Sequence, residues 1–182
     1  MIENEFKIML TEAQYEKLLS SRDFSTVTQV NYYYDTGDLE MSARHVTVRV
    51  RELGGNFYLQ MKLPTEKALS RVELERELEA LPETISGEML NSLAQGDFPD
   101  VKMLGSLKTT RSVWKFDGGE IDLDKSEYFG KVDFEVEIEF TNEQNARKVL
   151  GEITELLEIK PSAEVCAGKI RRFLVEYKNQ NP

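Results

Sequence analysis

Residues 131–140 read KVDFEVEIEF, and within them Glu135, Glu137 and Glu139 alternate with Phe134, Val136 and Ile138. In an extended strand, side chains at i, i+2 and i+4 share one face. The stretch is therefore a strand with an apolar face and a row of carboxylates. Like charges held side by side repel, so the row needs positive charge against it. Two sources are available: strands that carry Arg and Lys in the same alternation, or a divalent cation. The chain opens with a matching pattern, Glu3-Asn4-Glu5-Phe6-Lys7.

Working outward, residues 2–10, 27–35, 45–52, 56–63, 70–79, 106–117 and 120–125 also have the composition or alternation of strands. Gly54-Gly55 and Gly118-Gly119 mark hairpin turns, and Pro64 ends a strand. Thr11 with Gln14 forms a capping box that opens a short helix. Residues 36–43 form a turn or a single helical turn. A helix is expected from about Ser86 to Gln95. Another, capped by Thr141 with Gln144, should end near Ile159, and Pro161-Ser162 should open a last helical stretch carrying Lys169 to Tyr177. No repeat, low-complexity tract or linker interrupts the pattern. Residues 1–182 read as a single domain, mainly β, with roughly eight antiparallel strands and peripheral helices.

Parity sorts each strand into two faces. Thr47, Arg49 and Arg51 oppose Val46, Val48 and Val50. Tyr58, Gln60 and Lys62 oppose Phe57, Leu59 and Met61. Arg71, Glu73, Glu75 and Glu77 oppose Val72, Leu74 and Leu78, and Asp122 and Asp124 oppose Ile121 and Leu123. A sandwich with its charged faces in water would account for any one strand. For the whole set, however, the signs segregate: some strands are acidic, others basic. A closed barrel with charged faces inward and apolar faces under helices accounts for that segregation. A lumen of that kind would suit metal ions and a small polyanion.

Composition narrows the chemistry. The 182-residue chain is 40% hydrophobic and 31% charged, as a globular domain should be, with a formal net charge of −10. That sign disfavours nucleic acid and anionic membrane surfaces as partners. One cysteine, Cys166, rules out an intramolecular disulfide, and one histidine, His45, rules out a multi-histidine zinc site. Oxygen ligands remain, which point to Mg²⁺, Mn²⁺ or Ca²⁺. With no signal-peptide core and no apolar run of membrane length, a cytoplasmic protein is expected. His45, Cys166, the Tyr32–Tyr34 run and Trp114 read as structural residues.

In this order the landmarks resemble the CYTH superfamily, the triphosphate tunnel metalloenzymes. They are Glu3-x-Glu5-x-Lys7, Tyr34-Asp35, Arg49-x-Arg51, Lys62 within QMKLP, Arg71-x-Glu73, Arg111, Asp122, the E-x-E strand and Lys169. The resemblance spans nearly the whole chain. It implies an eight-stranded antiparallel closed barrel, a tunnel, in which Mg²⁺ or Mn²⁺ supports hydrolysis or cyclisation of triphosphates. Glu3 and Glu5 would bind metal with Glu135 and Glu137, or with Glu137 and Glu139. Asp122 would help with metal or water. Lys7, Arg49, Arg51, Lys62, Arg111 and Lys169 would hold phosphate oxygens, with Glu73 among the substrate-site residues. Glu5, Lys7, Asp122 and Glu137 would carry the catalysis.

The activity so implied is hydrolysis of triphosphate compounds, inorganic tripolyphosphate first. Water would attack the terminal phosphorus in line and pyrophosphate would leave. Class IV-type adenylate cyclase, thiamine or nucleoside triphosphatase, and a non-catalytic binder of polyphosphate or nucleotide are the alternatives. Monomer and homodimer are both open.

Overall fold

The computed structural model describes residues 2–65, 70–159 and 166–181, with the backbone alone for Ile2, Glu3 and Ser70. The expected helix opening at Pro161-Ser162 falls outside the described residues. The strands, in chain order, are β1 (Ile2–Leu10), β2 (Ser25–Asp35), β3 (Thr47–Leu53), β4 (Asn56–Pro64), β5 (Ser70–Leu78), β6 (Thr84–Ile85), β7 (Val101–Phe116), β8 (Gly119–Tyr128) and β9 (Lys131–Phe140). The helices are α1 (Glu12–Leu19), α2 (Glu40–Ala43), α3 (Gly87–Ala94), α4 (Glu143–Leu156) and α5 (Lys169–Gln180). The fold is mainly antiparallel β with a few helices. Beside eight longer strands it has β6, a two-residue strand that the alternation did not signal.

The chain divides into two compact units. The first comprises residues 1–3, 29–108 and 169–182, and the second residues 4–28 and 109–168. In the first, β2, β3, β4 and β5 pair in chain order, and β6 pairs with the start of β7. Gly54 and Gly55, with φ of 60° and 85°, turn β3 into β4; positive φ at both central positions suits the right-handed twist of a hairpin. Val48, Val50, Leu59 and Met61 form one buried face with Met41 of α2 and Leu90 of α3.

In the second unit the order is β1-β9-β8-β7. Ile121, Leu123, Val136 and Ile138 pack with Tyr15 and Leu18 of α1 and with Ala146, Val149 and Ile153 of α4. Each unit thus buries the apolar parity of its strands under helices, as the sequence predicted.

The opposite, charged faces are buried in part: Arg71, Glu75 and Glu77 of β5 are exposed, but much of the rest is not. Asp122, Asp124, Glu135, Glu137, Arg49, Gln60 and Asn31 are all buried. For these residues the ionic parity is not the solvent face.

Local differences have local causes. The Thr11–Gln14 capping box is present. The long helix α4 is capped by Asn142, whose side chain accepts from the Asn145 N–H, and not by Thr141. β7 starts at Val101, five residues before the expected 106, and runs through Gly105. Tyr34 and Asp35 serve the fold. The Tyr34 hydroxyl donates to the Pro82 carbonyl at 2.5 Å, and the Asp35 carboxylate accepts from the N–H groups of Thr36, Met41 and Ser42 at 2.8–3.0 Å. Leu39, at the N-terminus of α2, has φ of 62° and no capping side chain, so Asp35 satisfies donors that would otherwise be orphaned.

Candidate active site

In the second unit, pairing of β1, β9 and β8 aligns three rows of side chains. Glu5 lies opposite Glu139, which lies opposite Glu120. Lys7 lies opposite Glu137, which lies opposite Asp122. Met9 lies opposite Glu135, which lies opposite Asp124. Eight ionisable groups thus share a patch three strands wide, seven of them acidic.

Two cations hold the patch together. Lys7 Nζ donates to Glu137 at 2.7 Å and reaches Glu5 at 3.2 Å. Arg111, on β7, grips Asp124 through Nε at 2.9 Å and Nη2 at 2.7 Å, donates to Glu137 at 2.8 Å and contacts Asp122. Burial works against the charge of both cations, but their carboxylate neighbours outweigh it. The pKa of each therefore lies above its ordinary value, and both stay protonated. The Asp122 pKa is raised too, which in a carboxyl group favours the neutral form. Burial raises its carboxyl; Arg111 pulls it down, but Asp124, Glu137 and Glu120 push it further up, to about 7.

Among the described residues, three groups of carboxylates bring ligand atoms within 4.8 Å of one another: Glu5–Glu137–Glu139, Glu120–Asp122–Glu139 and Asp124–Glu135–Glu137. Asp122 Oδ1 is buried without a hydrogen-bond partner among the described residues. An all-oxygen donor set with an unused buried lone pair fits a hard divalent cation of the Mg²⁺ or Mn²⁺ kind.

The first unit carries the basic counterpart. Arg49 Nε donates to Gln60 Oε1 at 2.7 Å and its Nη2 to Glu73 at 3.2 Å. Gln60 Nε2 donates in turn to Glu75 at 2.6 Å, and Lys62 reaches Glu73 at 3.6 Å. Arg51 Nε donates to Asn31 Oδ1 at 3.3 Å. Lys169 belongs to the same unit, at the first position of α5.

The expected residues thus fall into two groups. Glu5, Lys7, Arg111, Asp122, Glu135, Glu137 and Glu139 meet in the second unit. Arg49, Arg51, Lys62 and Glu73 share one face of the first. The side chain of Glu3 is outside the described residues. Parity had put Asp124 on the acidic face without giving it a role, yet it is Arg111's bidentate partner. Gln60 was likewise placed by parity without a role, and Glu120 and Asn31 were not singled out at all. Their signal is cross-strand register, which the chain does not display.

A CYTH domain model matches residues 1–173. The chain belongs to the CYTH family. Its CYTH relatives include a Bacillus subtilis (strain 168) protein described as "Putative triphosphatase YjbK", 30% identical over 96% of this chain and 95% of the relative. A Bacillus halodurans crystal structure described as "a putative adenylate cyclase" is 28% identical, with a TM-score of 0.76, over 94% of this chain and 96% of that one. HpAC1 from Hippeastrum, a structure said to reveal "a dominant triphophatase activity", shares the fold with a TM-score of 0.70 at 19% identity, covering 96% and 95% of the two chains. Among the described residues of this CYTH chain, no helix is long and apolar enough to cross a membrane.

Proposed function

We propose that this CYTH protein is a metal-dependent triphosphatase that cleaves inorganic tripolyphosphate to pyrophosphate and phosphate. The reaction takes place inside a closed eight-stranded antiparallel barrel formed by residues 1–182 as one domain. The observation that carries this reading is the partly buried grid of β1, β9 and β8 with the unpartnered Asp122 Oδ1. The relative described as a triphosphatase, matched along 96% of the chain, supports the activity.

Glu5, Glu135, Glu137 and Glu139, joined by Glu3, Asp122 and Asp124, would hold Mg²⁺ or Mn²⁺. The bound ion would shield charge that builds on the non-bridging phosphate oxygens. Lys7, Arg49, Arg51, Lys62, Arg111 and Lys169 bind phosphate oxygens, arginine through paired N–H groups and lysine as a point charge. In the substrate's absence Lys7 and Arg111 are neutralised by the carboxylates they touch. Glu73 holds Arg49 and Lys62 in place. Asp122 Oδ1 accepts a hydrogen bond from the attacking water and orients it. A bond forms from that water to the terminal phosphorus as the terminal P–O–P bridge breaks; the water's proton passes to the Asp122 carboxylate, and the electron pair of the broken bond leaves with pyrophosphate. Arg49, Arg51 and Lys62 neutralise the leaving pyrophosphate.

The test is phosphate release from tripolyphosphate with Mg²⁺ or Mn²⁺. Glu137→Gln and Glu5→Gln should each lower the rate by about 100-fold or more. Wild-type protein that releases no phosphate with either metal would sink the proposal. The description of the Bacillus halodurans structure favours a second reading, ATP cyclisation; cyclic AMP formed from ATP would establish it. Thiamine triphosphate and ATP hydrolysis are further arms of the assay, and binding without turnover would mark a non-catalytic module.

A further inference from the structure

Asn31 sits on β2 directly opposite Arg51 on β3 and is 1% exposed. Its Oδ1 accepts from Arg51 Nε at 3.3 Å. That bond fixes which way the amide points, because the flipped rotamer would set an NH₂ group against a guanidinium, donor facing donor. Nδ2 is therefore the outlying arm, and it has no hydrogen-bond partner among the described residues. Buried amide donors are nearly always satisfied. Neighbours on this face have found their acceptors: Arg49 bonds Gln60 and Glu73, and Gln60 Nε2 bonds Glu75. Tyr33, two residues along, is buried against Phe173 of α5 with ring centroids 4.8 Å apart. A neutral N–H donor beside a guanidinium suits an anionic oxygen and repels a metal ion.

We propose that Asn31 is a substrate-binding residue: its Nδ2–H donates to a non-bridging phosphate oxygen of the triphosphate that Arg51 also contacts. This assignment rests on the triphosphatase reading and adds a ligand that carries no charge. Arg51 would supply the attraction, and Asn31 would fix where the oxygen sits.

Asn31→Asp tests it, since the substitution keeps the shape and the acceptor for Arg51 but removes the donor. Binding of tripolyphosphate is measured by calorimetry, and the Asn31 side-chain amide resonance of the wild type is followed by NMR during the same titration. The expected results are binding weakened by about tenfold or more, a matching rise in KM, an unchanged melting temperature, and a shift of the Asn31 NH₂ resonance. Asn31→Asp binding within about twofold of wild type overturns the contact and leaves the triphosphatase reading standing. Weakened binding with an unmoved wild-type resonance also overturns it, because the new charge alone then explains the loss. Should Asn31→Asp fail to fold, the wild-type resonance decides. Wild-type protein that neither binds nor cleaves tripolyphosphate overturns both proposals.

Discussion

Asp122 is acted on by burial, which disfavours its charge, by Arg111, which favours it, and by Asp124, Glu137 and Glu120, which oppose it. Burial and the acids prevail, so the folded carboxyl titrates near 7 against an ordinary 3.8. Between those values the native state holds a proton that the unfolded chain has released, and stability must fall as pH rises. We expect metal-free wild type to lose, relative to Asp122→Asn, on the order of 4 kcal/mol between pH 4 and pH 8, at 1.36 kcal/mol per unit. Denaturant titrations at the two pH values check this. Arg111 is the cation that makes the patch tolerable, touching Asp122, Asp124 and Glu137. Arg111→Ala leaves those buried acids uncompensated and should destabilise the metal-free protein by about 3–5 kcal/mol. Millimolar Mg²⁺ should restore part of that loss in a thermal melt, and no restoration would argue against a cation site there.

At the scale of the element, β9 serves both faces of its unit. Val136 and Ile138 are buried with α1 and α4, while Glu135, Glu137 and Glu139 line the ionic side. The hairpin between β7 and β8 sets where α4 begins. The Gly118 carbonyl accepts from the N–H groups of Thr141 and Asn142, and Asn145 Nδ2 donates to the Asp117 carbonyl at 2.9 Å. Gly118 has φ of 81°, and a Cβ there would stand 2.6 Å from the Cβ of Asn142. The start of α4 is thus chosen by docking onto this turn. Both Thr141 and Asn142 are residue types that cap helices, but only Asn142 occupies the cap. Asn142→Ala should therefore cost about 1 kcal/mol of stability, and Thr141→Ala, whose hydroxyl only reaches the Gly118 carbonyl at 3.3 Å, distinctly less. Urea midpoints of the two variants distinguish them.

For the whole molecule, charge is distributed by unit. The three carboxylate groups with Lys7 and Arg111 belong to the second unit, and Arg49, Arg51 and Lys62 to the first. A chain with net charge −10 can attract a polyanion only through a local field of this kind. Substrate and metal should stabilise the protein together by mass action, about 2.7 kcal/mol at a concentration 100 times Kd. Scanning fluorimetry should show a larger rise in Tm with tripolyphosphate and Mn²⁺ together than with either alone, and a chelator should abolish the excess.

Period-two alternation was enough, by itself, to assign the longer strands and to separate apolar from ionic parity, which puts Glu5, Lys7, Arg49, Asp122 and Glu137 on the ionic faces of their own strands, because side-chain direction in a strand is local geometry. It could not show that Asp124 is the residue that clasps Arg111, that Glu120 joins Asp122 and Glu139, or that Asn31 stands beside Arg51. Those facts follow from register between strands distant in sequence. Nor could it show that Lys7 and Arg111 are held by carboxylates before any substrate arrives. Whether a buried cation meets an acid or a phosphate first is decided by which charges the fold brings within about 3 Å, where attraction outweighs the loss of hydration, and only the tertiary structure sets that distance.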